Sequence, residues 1–456
     1  MRFLGLLALA FAMAFGSGGD AHEQLHLTTT WVGIACAVIF VVGYFFIAAE
    51  EVFHVNKAKP AIFIGTAMFF IIGIYMVVNG MDLHPLQGKI DHLIIEVASI
   101  VFFLMVAMTY IEALIERDVF NTLKYNLVSK GYTYKKLFWL TGVIAFFLSP
   151  VADNLTTALI LSTVLLTIDR ENKAFLIAGA INIVVAANAG GAWSPFGDIT
   201  TLMAWAAGKG TFTDFISLFP ASIIGWVVTA FLLSMYVPVG APHFDVAKEK
   251  KVTIKPGGKV IIALGILTIT SAVLGHNFFH LPAMYGMMFG FSLLAIYSYF
   301  YKKTHKNDEP IHVFHYMSKI ENDTLIFFFG ILSAVGALHF LGFLEYLIAL
   351  YESMGQTPVN IAVGIVSAVV DNVPVMSAVL NANPQMNLDQ WLLVTLTAGI
   401  GGSLISFGSA AGVGVMGKMR GIYTFGAHMK LAWTILIGYI VSIAVWYVQF
   451  EILGLY

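Results

Sequence analysis

The chain is short of cysteine and of charge. A single cysteine, Cys36, excludes any disulfide within the chain. Only 11% of the 456 residues are charged and 59% are apolar, against about 25% and 45–50% in ordinary soluble domains. That balance excludes a soluble globular protein. With a net charge of -2 and no basic arm or stripe, the chain carries no electrostatic footprint for nucleic acid. The 13 histidines are not expected to form a zinc site, although His22 and His26 of HEQLH stand at His-Glu-x2-His spacing and His276 and His280 at His-x3-His spacing. The long apolar runs lack period-two alternation, which excludes a closed barrel. What remains is an all-α polytopic membrane protein.

The first residues, from Met1 to His22, combine a basic start at Arg2, a short apolar run and small residues around Ala12 and Ala14. They read as a secretory signal peptide over 1–21, which leaves the mature N-terminus outside the cytoplasm. Apolar segments long enough to span follow at 28–49, 61–79, 93–115, 215–237, 260–276, 282–301, 324–341 and 431–453. Four more are interrupted: 137–168 at Asp153, 174–205 at 190–198, 359–381 at Asp371, and 391–416 at 403–409. Between them, 343–354 is a short amphipathic piece. Cytoplasmic loops concentrate Lys and Arg. If both Asp-containing segments are re-entrant hairpins, 21 of the 24 basic residues fall on one side, and only Arg2, Lys89 and Lys209 lie elsewhere. Full crossings would destroy that asymmetry. The expected organisation is therefore N-terminal helices at 22–92, a first repeat at 93–237, a basic loop with linking helices at 238–323, and a second repeat at 324–456. Each repeat has one hairpin and one broken helix, and the two are inverted in topology.

The interruptions carry the chemistry. "SPVADNLTTALIL" (Ser149 to Leu161) and "SAVVDNVPVMSAVL" (Ser367 to Leu380) each set Asp-Asn in membrane-like sequence, with tips at 153–157 and 371–374. "GGAWSPFGD" (Gly190 to Asp198) aligns without a gap to "GGSLISFGS" (Gly401 to Ser409). An aspartate at the bilayer centre costs roughly 2.5–3.5 kcal/mol on insertion scales, so it should face a cavity and have a partner. The two tips offer Asp153, Asn154, Thr156, Thr157, Asp371 and Asn372. The broken helices add Asn188, Ser194, Asp198, Thr200, Thr201, Ser403, Ser406 and Ser409. Carboxylate, amide, hydroxyl and freed carbonyl oxygens suit a hard cation. No Lys or Arg stands in these stretches, so the pocket is expected to prefer a cation to an anion. A carboxylate removed from water and set beside another binds a proton more readily. Proton and cation would then compete for one site, and alternating access would turn that competition into antiport.

These stretches also carry a resemblance. SPVADNLTTAL, the run Asn188 to Thr201, VVDNVP at Val369 to Pro374 and the Gly-Ser-rich run Gly401 to Gly414 resemble the NhaD-type sodium/proton antiporters, over nearly the whole chain from Thr28 onward. The resemblance implies a homodimeric inner-membrane exchanger of Na+ or Li+ for H+, without an organic cofactor and active in pH homeostasis. The family's polar positions carry over to Asp153, Asn154, Asn188, Asp198, Thr200, Thr201, Ser367, Asn372, Ser406 and Ser409.

Blander readings stand beside these. Asp153, Asp371 and Asp198 are also good helix N-caps, and serines in glycine-rich stretches often serve helix packing. His92 and Glu96, one helical turn apart, could tune activity with pH or simply pair at the lipid headgroups. Glu50, Glu51, Glu112 and Glu116 read as solvated helix ends. A dicarboxylate or arsenite carrier of the same architecture is the rival transport reading. An intramembrane aspartyl hydrolase would need Tyr-Asp and Gly-x-Gly-Asp where this chain has Ala-Asp and Phe-Gly-Asp, and no nucleophile elbow is present.

Overall fold

In the computed structural model, residues 25–48, 50–53, 55–242 and 251–455 are described, and the expected signal peptide at 1–21 lies outside them. Among the described residues every regular element is helical, and ten helices are long and apolar enough to cross a membrane. In chain order the helices that build the fold, long and short, are α1 (Trp31–Ala48), α2 (Ala58–Val78), α3 (His84–Glu116), α4 (Val119–Val128), α5 (Tyr134–Ala152), α6 (Asn154–Ile168), α7 (Lys173–Ala192), α8 (Ile199–Ala206) and α9 (Phe219–Leu233). There follow α10 (Gly258–Phe279), α11 (Ala283–Thr304), α12 (Val313–Lys319), α13 (Asn322–Leu341), α14 (Glu345–Met354), α15 (Gln356–Val370), α16 (Asn372–Ala382), α17 (Leu388–Gly401), α18 (Ala410–Lys418) and α19 (Phe425–Tyr447). The helix expected from residue 93 begins at His84, so a division drawn after residue 92 falls inside α3. Pro85 stands in its first turn, where a missing N–H costs nothing. The polar residues ahead of the expected span are thus helix as well.

Hydrogen bonds at helix ends fix which ends share a face. On one face, Asn56 donates to Asp323 at 2.6 Å, Arg117 donates to the carbonyls of Pro256 (3.3 Å) and Glu309 (2.9 Å), and Lys319 pairs with Glu116. Lys255 pairs there with Glu309 at 2.9 Å, and that hydrogen bond raises the lysine above its ordinary pKa. On the other face, the Leu25 N–H reaches the Phe340 carbonyl at 2.9 Å, Lys89 binds His339 (2.8 Å) and Asn381 (3.0 Å), and Lys209 binds Asn383 at 2.5 Å. Gln449 donates to the Ser217 carbonyl at 3.2 Å on this second face.

These pins show where each Asp-Asn segment starts and ends. The Tyr134 hydroxyl at the start of α5 donates to Asp169, just past α6, at 2.5 Å. The Tyr134 N–H also bonds the Gly240 carbonyl at 3.0 Å, at the first-face end of the α9 crossing. So α5–α6 is a hairpin based on the first face. Gln356 at the start of α15 donates to the Gln385 carbonyl at 2.8 Å, beyond α16, beside the Asn381 and Asn383 pins. So α15–α16 is a hairpin based on the second.

Matching contacts hold the two units. α5 packs along α7 and α15 along α17. Ser149 donates to the Ala187 carbonyl at 2.6 Å, and Ser367 donates to the Ala398 carbonyl at 2.7 Å. A Cβ on Gly190 would strike the Phe146 carbonyl, and one on Gly401 the Gly364 carbonyl. Glycine is required at both because helix backbones touch there. The second arms cross over: α6 packs on α18, and α16 on α8. α7 meets α17 and α9 meets α19 at the centre, while α2, α3 and α13 form a flanking layer.

Two expected outcomes follow from this placement. With Cys36 replaced by Ala, a cysteine at Glu171 should react with an impermeant maleimide only in everted vesicles, and one at Gln385 only in intact cells. Both positions are exposed. Labelling of both from one side would overturn the two-face arrangement. Gly190→Leu should abolish insertion of folded protein, measured by detergent size-exclusion yield, because a backbone contact has no room to give.

Candidate functional site

Each hairpin ends its first helix at an aspartate with positive φ. Asp153 has φ 55° and ψ 165°, and Asp371 has φ 59° and ψ 147°. Such backbone is close to glycine's own territory and costs a non-glycine residue about 1–3 kcal/mol. Both side chains then cap the second helix. Asp153 accepts from the Thr156 N–H (2.8 Å) and hydroxyl (2.9 Å), and Asp371 accepts from the Asn372 N–H (2.8 Å). The capping reading is therefore real for both, and both carboxylates also line a cavity.

The asparagines that follow converge on a third carboxylate. Asn154 donates to Asp198 Oδ2 at 3.2 Å, and Asn372 reaches both Asp198 oxygens at 3.2 Å. Asp198 caps α8 and accepts the Thr200 N–H and hydroxyl, each at 3.0 Å. It is 3% exposed, so these donors replace water. Asn188, fully buried on α7, accepts from Asn154 at 3.2 Å and donates to Ser403 (2.7 Å) and Ser409 (2.9 Å) of the other unit. One network thus joins both hairpin tips and both broken helices.

The remaining expected residues divide. Thr157 and Ser406 keep buried hydroxyl oxygens with no hydrogen-bond partner among the described residues, as expected of groups reserved for something else. Thr201 lies against the Gly191 and Ala192 carbonyls at 3.5 and 3.4 Å, and Ser194 donates to the Pro150 carbonyl at 3.3 Å. Ser367 spends its hydroxyl on Ala398, so its contact is a brace between helices. His92 is exposed and Glu96 half-buried. Both lie in the second-face end of α3, and the cavity lining does not include them.

The cavity, about 330 Å³, is lined by Asp153, Asp198 and Asp371 and by Glu50, Glu321 and Asp323 from the first face. Lys57 also lines it, with Nζ 3.7 Å from Asp371 Oδ2. This corrects two expectations. Glu50 is part of the cavity wall rather than a solvated end, and a cation does reach the oxygen cluster, from the α1–α2 corner rather than from the interrupted stretches. Nor is every tip carbonyl free, since the Tyr44 hydroxyl donates to that of Val370. Nothing in "HVNKAKP" (His54 to Pro60) marks Lys57 among other loop lysines, because the contact spans more than three hundred residues. Among the described residues, no three His, Cys, Asp or Glu side chains cluster as a metal cage.

Comparison with known proteins bears on what such a cavity serves. The family model described as "Citrate transporter" matches residues 44–399. The Na(+)/H(+) antiporter NhaD of Alkalimonas amylolytica is 42% identical, over 97% of this chain and 95% of its own. The chain belongs to the NhaD-type antiporters. NhaD of Vibrio cholerae is 42% identical over 96% of each chain, and that of Vibrio parahaemolyticus 43% over 84% of this chain and 98% of its own. Membership in the NhaD-type family makes the chain a transporter rather than an enzyme.

Stability separates the roles of these groups. Asn188→Ala should lower unfolding stability by about 1–3 kcal/mol, by stranding buried hydroxyls of the second unit. Asp153→Gly should stay within roughly 1 kcal/mol of wild type, since glycine relieves the positive φ and is tolerated as a cap. Asp153→Ala should be the less stable of the pair. Thermal unfolding in detergent checks all three.

Proposed function

We propose that the protein exchanges Na+, and also Li+, for H+ across the inner membrane by alternating access. The observation that carries this reading is Asp198, a buried carboxylate shared by the leading asparagines of both hairpins. Asp153, Asn154, Asn188, Asp198, Thr200, Asp371 and Asn372 would supply the ion's oxygens, with Thr157 and Ser406 as unspent ligands and Ser403 and Ser409 as supports behind Asn188. Asp198, a carboxylate held by neutral amides and a hydroxyl, suits a hard cation. With the ion absent, a proton takes its place at the carboxylates, so the two are carried in opposite directions. The hairpins open to opposite faces, which supports two inverted repeats, 93–237 and 324–456, moving against a fixed scaffold. A homodimer with its N-terminus outside the cytoplasm fits this arrangement. The NhaD names of the relatives point the same way.

The family model's description suggests citrate or another carboxylate as an alternative substrate. Six carboxylates against one ammonium in the cavity oppose a polyanion, and this reading is the weaker one.

The test is a pH-gradient assay in everted vesicles, with Na+, Li+, K+ or citrate added in turn. Na+ and Li+ should collapse the gradient in wild type. Asp198→Asn and Asp153→Gly should reach the membrane folded and give no response, and Thr200→Ala should raise the apparent KM about 10–100-fold. A wild type that ignores all three cations and responds to citrate would replace this reading with the carboxylate one.

A further inference from the structure

We propose that Lys57 is a tethered competitor cation, seated at Asp371 when the site is empty and displaced when the transported ion binds. The inference rests on the sodium-exchange reading above and adds a residue to it.

Of the described residues lining the cavity, Lys57 alone is Lys or Arg. Its Nζ lies 3.7 Å from Asp371 Oδ2, with the two side chains 21% and 15% exposed. A locked charge-assisted hydrogen bond is about 2.7–2.9 Å, so this pair is loose. From the same position the ammonium also lies over the Phe327 ring, 4.5 Å from its centroid. Glu321, in the same wall, lies within electrostatic range of both Lys57 and Asp153. Among the described residues the charged groups lining the cavity near Lys57 are all acidic: Asp371 on hairpin α15–α16, Glu321 and Asp323 at the start of α13, and Glu50, which accepts the Lys57 backbone N–H at 3.2 Å.

The two tips differ on this point. Asp153, the counterpart of Asp371, has its second oxygen held by the Thr156 hydroxyl, whereas Asp371 relies on an ammonium from another helix. A buried carboxylate without a partner is costly. Lys57 offsets that cost while the site is empty. An arriving Na+ removes the need for it, and the flexible side chain can swing toward Glu321 while keeping Phe327 beneath it. Because Lys57 is the N-cap residue of α2 and Asp371 lies on hairpin α15–α16, ion binding then breaks a link between the flanking layer and the hairpin. The competing charge also weakens apparent Na+ affinity.

The test measures Na+ dependence in everted vesicles at alkaline pH, and Na+-dependent thermal stabilisation of detergent-purified protein. Lys57→Gln should lower the apparent Na+ KM roughly three- to ten-fold. Lys57→Arg should raise it, because a guanidinium holds a carboxylate more firmly. In an Asp371→Asn background the Lys57→Gln shift in Na+ stabilisation should vanish. If Lys57→Gln does not fold, the Lys57→Arg comparison decides. An unchanged KM in every folded Lys57 variant, with only maximal rate or stability lowered, makes Lys57 a brace and overturns the inference. A wild type without any Na+ response overturns the sodium reading instead.

Discussion

A carboxylate inside a membrane protein must find donors that bulk water would otherwise supply, and Asp198 finds them in two halves of the chain that are far apart in sequence. Asn154 and Asn372 stand first in the second arms of the two hairpins, and both donate to it. Neither amide could get there from an unbroken crossing helix, whose backbone is closed and whose side chains project sideways. The hairpins bring helix starts, rather than helix sides, to the middle of the molecule. Asp198 is itself the cap of α8, which exists as a separate piece because α7 stops at Ala192. Meeting the needs of one charge thus accounts for both hairpin tips and for the break in one helix.

The two units are alike in their braces and unlike in their charge. Ser149 and Ser367 make the same bond to matching carbonyls, and Gly190 and Gly401 allow the same backbone contact. At the centre the pairing fails. Asp198 is matched by Ser409, and Asn188 by Gly399, where an added Cβ would come within 3.6 Å of Asp198 Oδ2. Two copies with full charge would set carboxylates against each other, at a cost that grows in low dielectric. With serine and glycine in the second unit, one carboxylate is shared, and Asn188 reaches across to Ser403 and Ser409. Positive φ at both aspartates is a local strain that their caps and the packed hairpins hold in place.

Much of this was legible in the sequence. The spans followed from apolar length, and the interruptions from Asp-Asn, Gly-Gly and Pro in apolar runs. The hairpins followed from where Lys and Arg fall. Residues 153–157, 188–201, 371–372 and 403–409 were readable because polar groups are conspicuous against a hydrocarbon background. The start of α3 lies ahead of the expected span because "HPLQGKIDH" (His84 to His92) is too polar to count as membrane-spanning, although its proline suits a first helical turn.

The sequence by itself determined the membrane class, the number of breaks and the residue types gathered at them, because burial in lipid penalises every polar side chain without a purpose. Tertiary structure alone decided which partner each group takes. Asp198 became the centre, Asp153 and Asp371 became both caps and cavity walls, and Ser367 became a brace. Lys57, Glu50 and Glu321 joined the cavity from segments that look like ordinary loop ends. Those roles depend on distances between residues more than three hundred positions apart in the case of Lys57 and Asp371, and local composition carries no record of such distances.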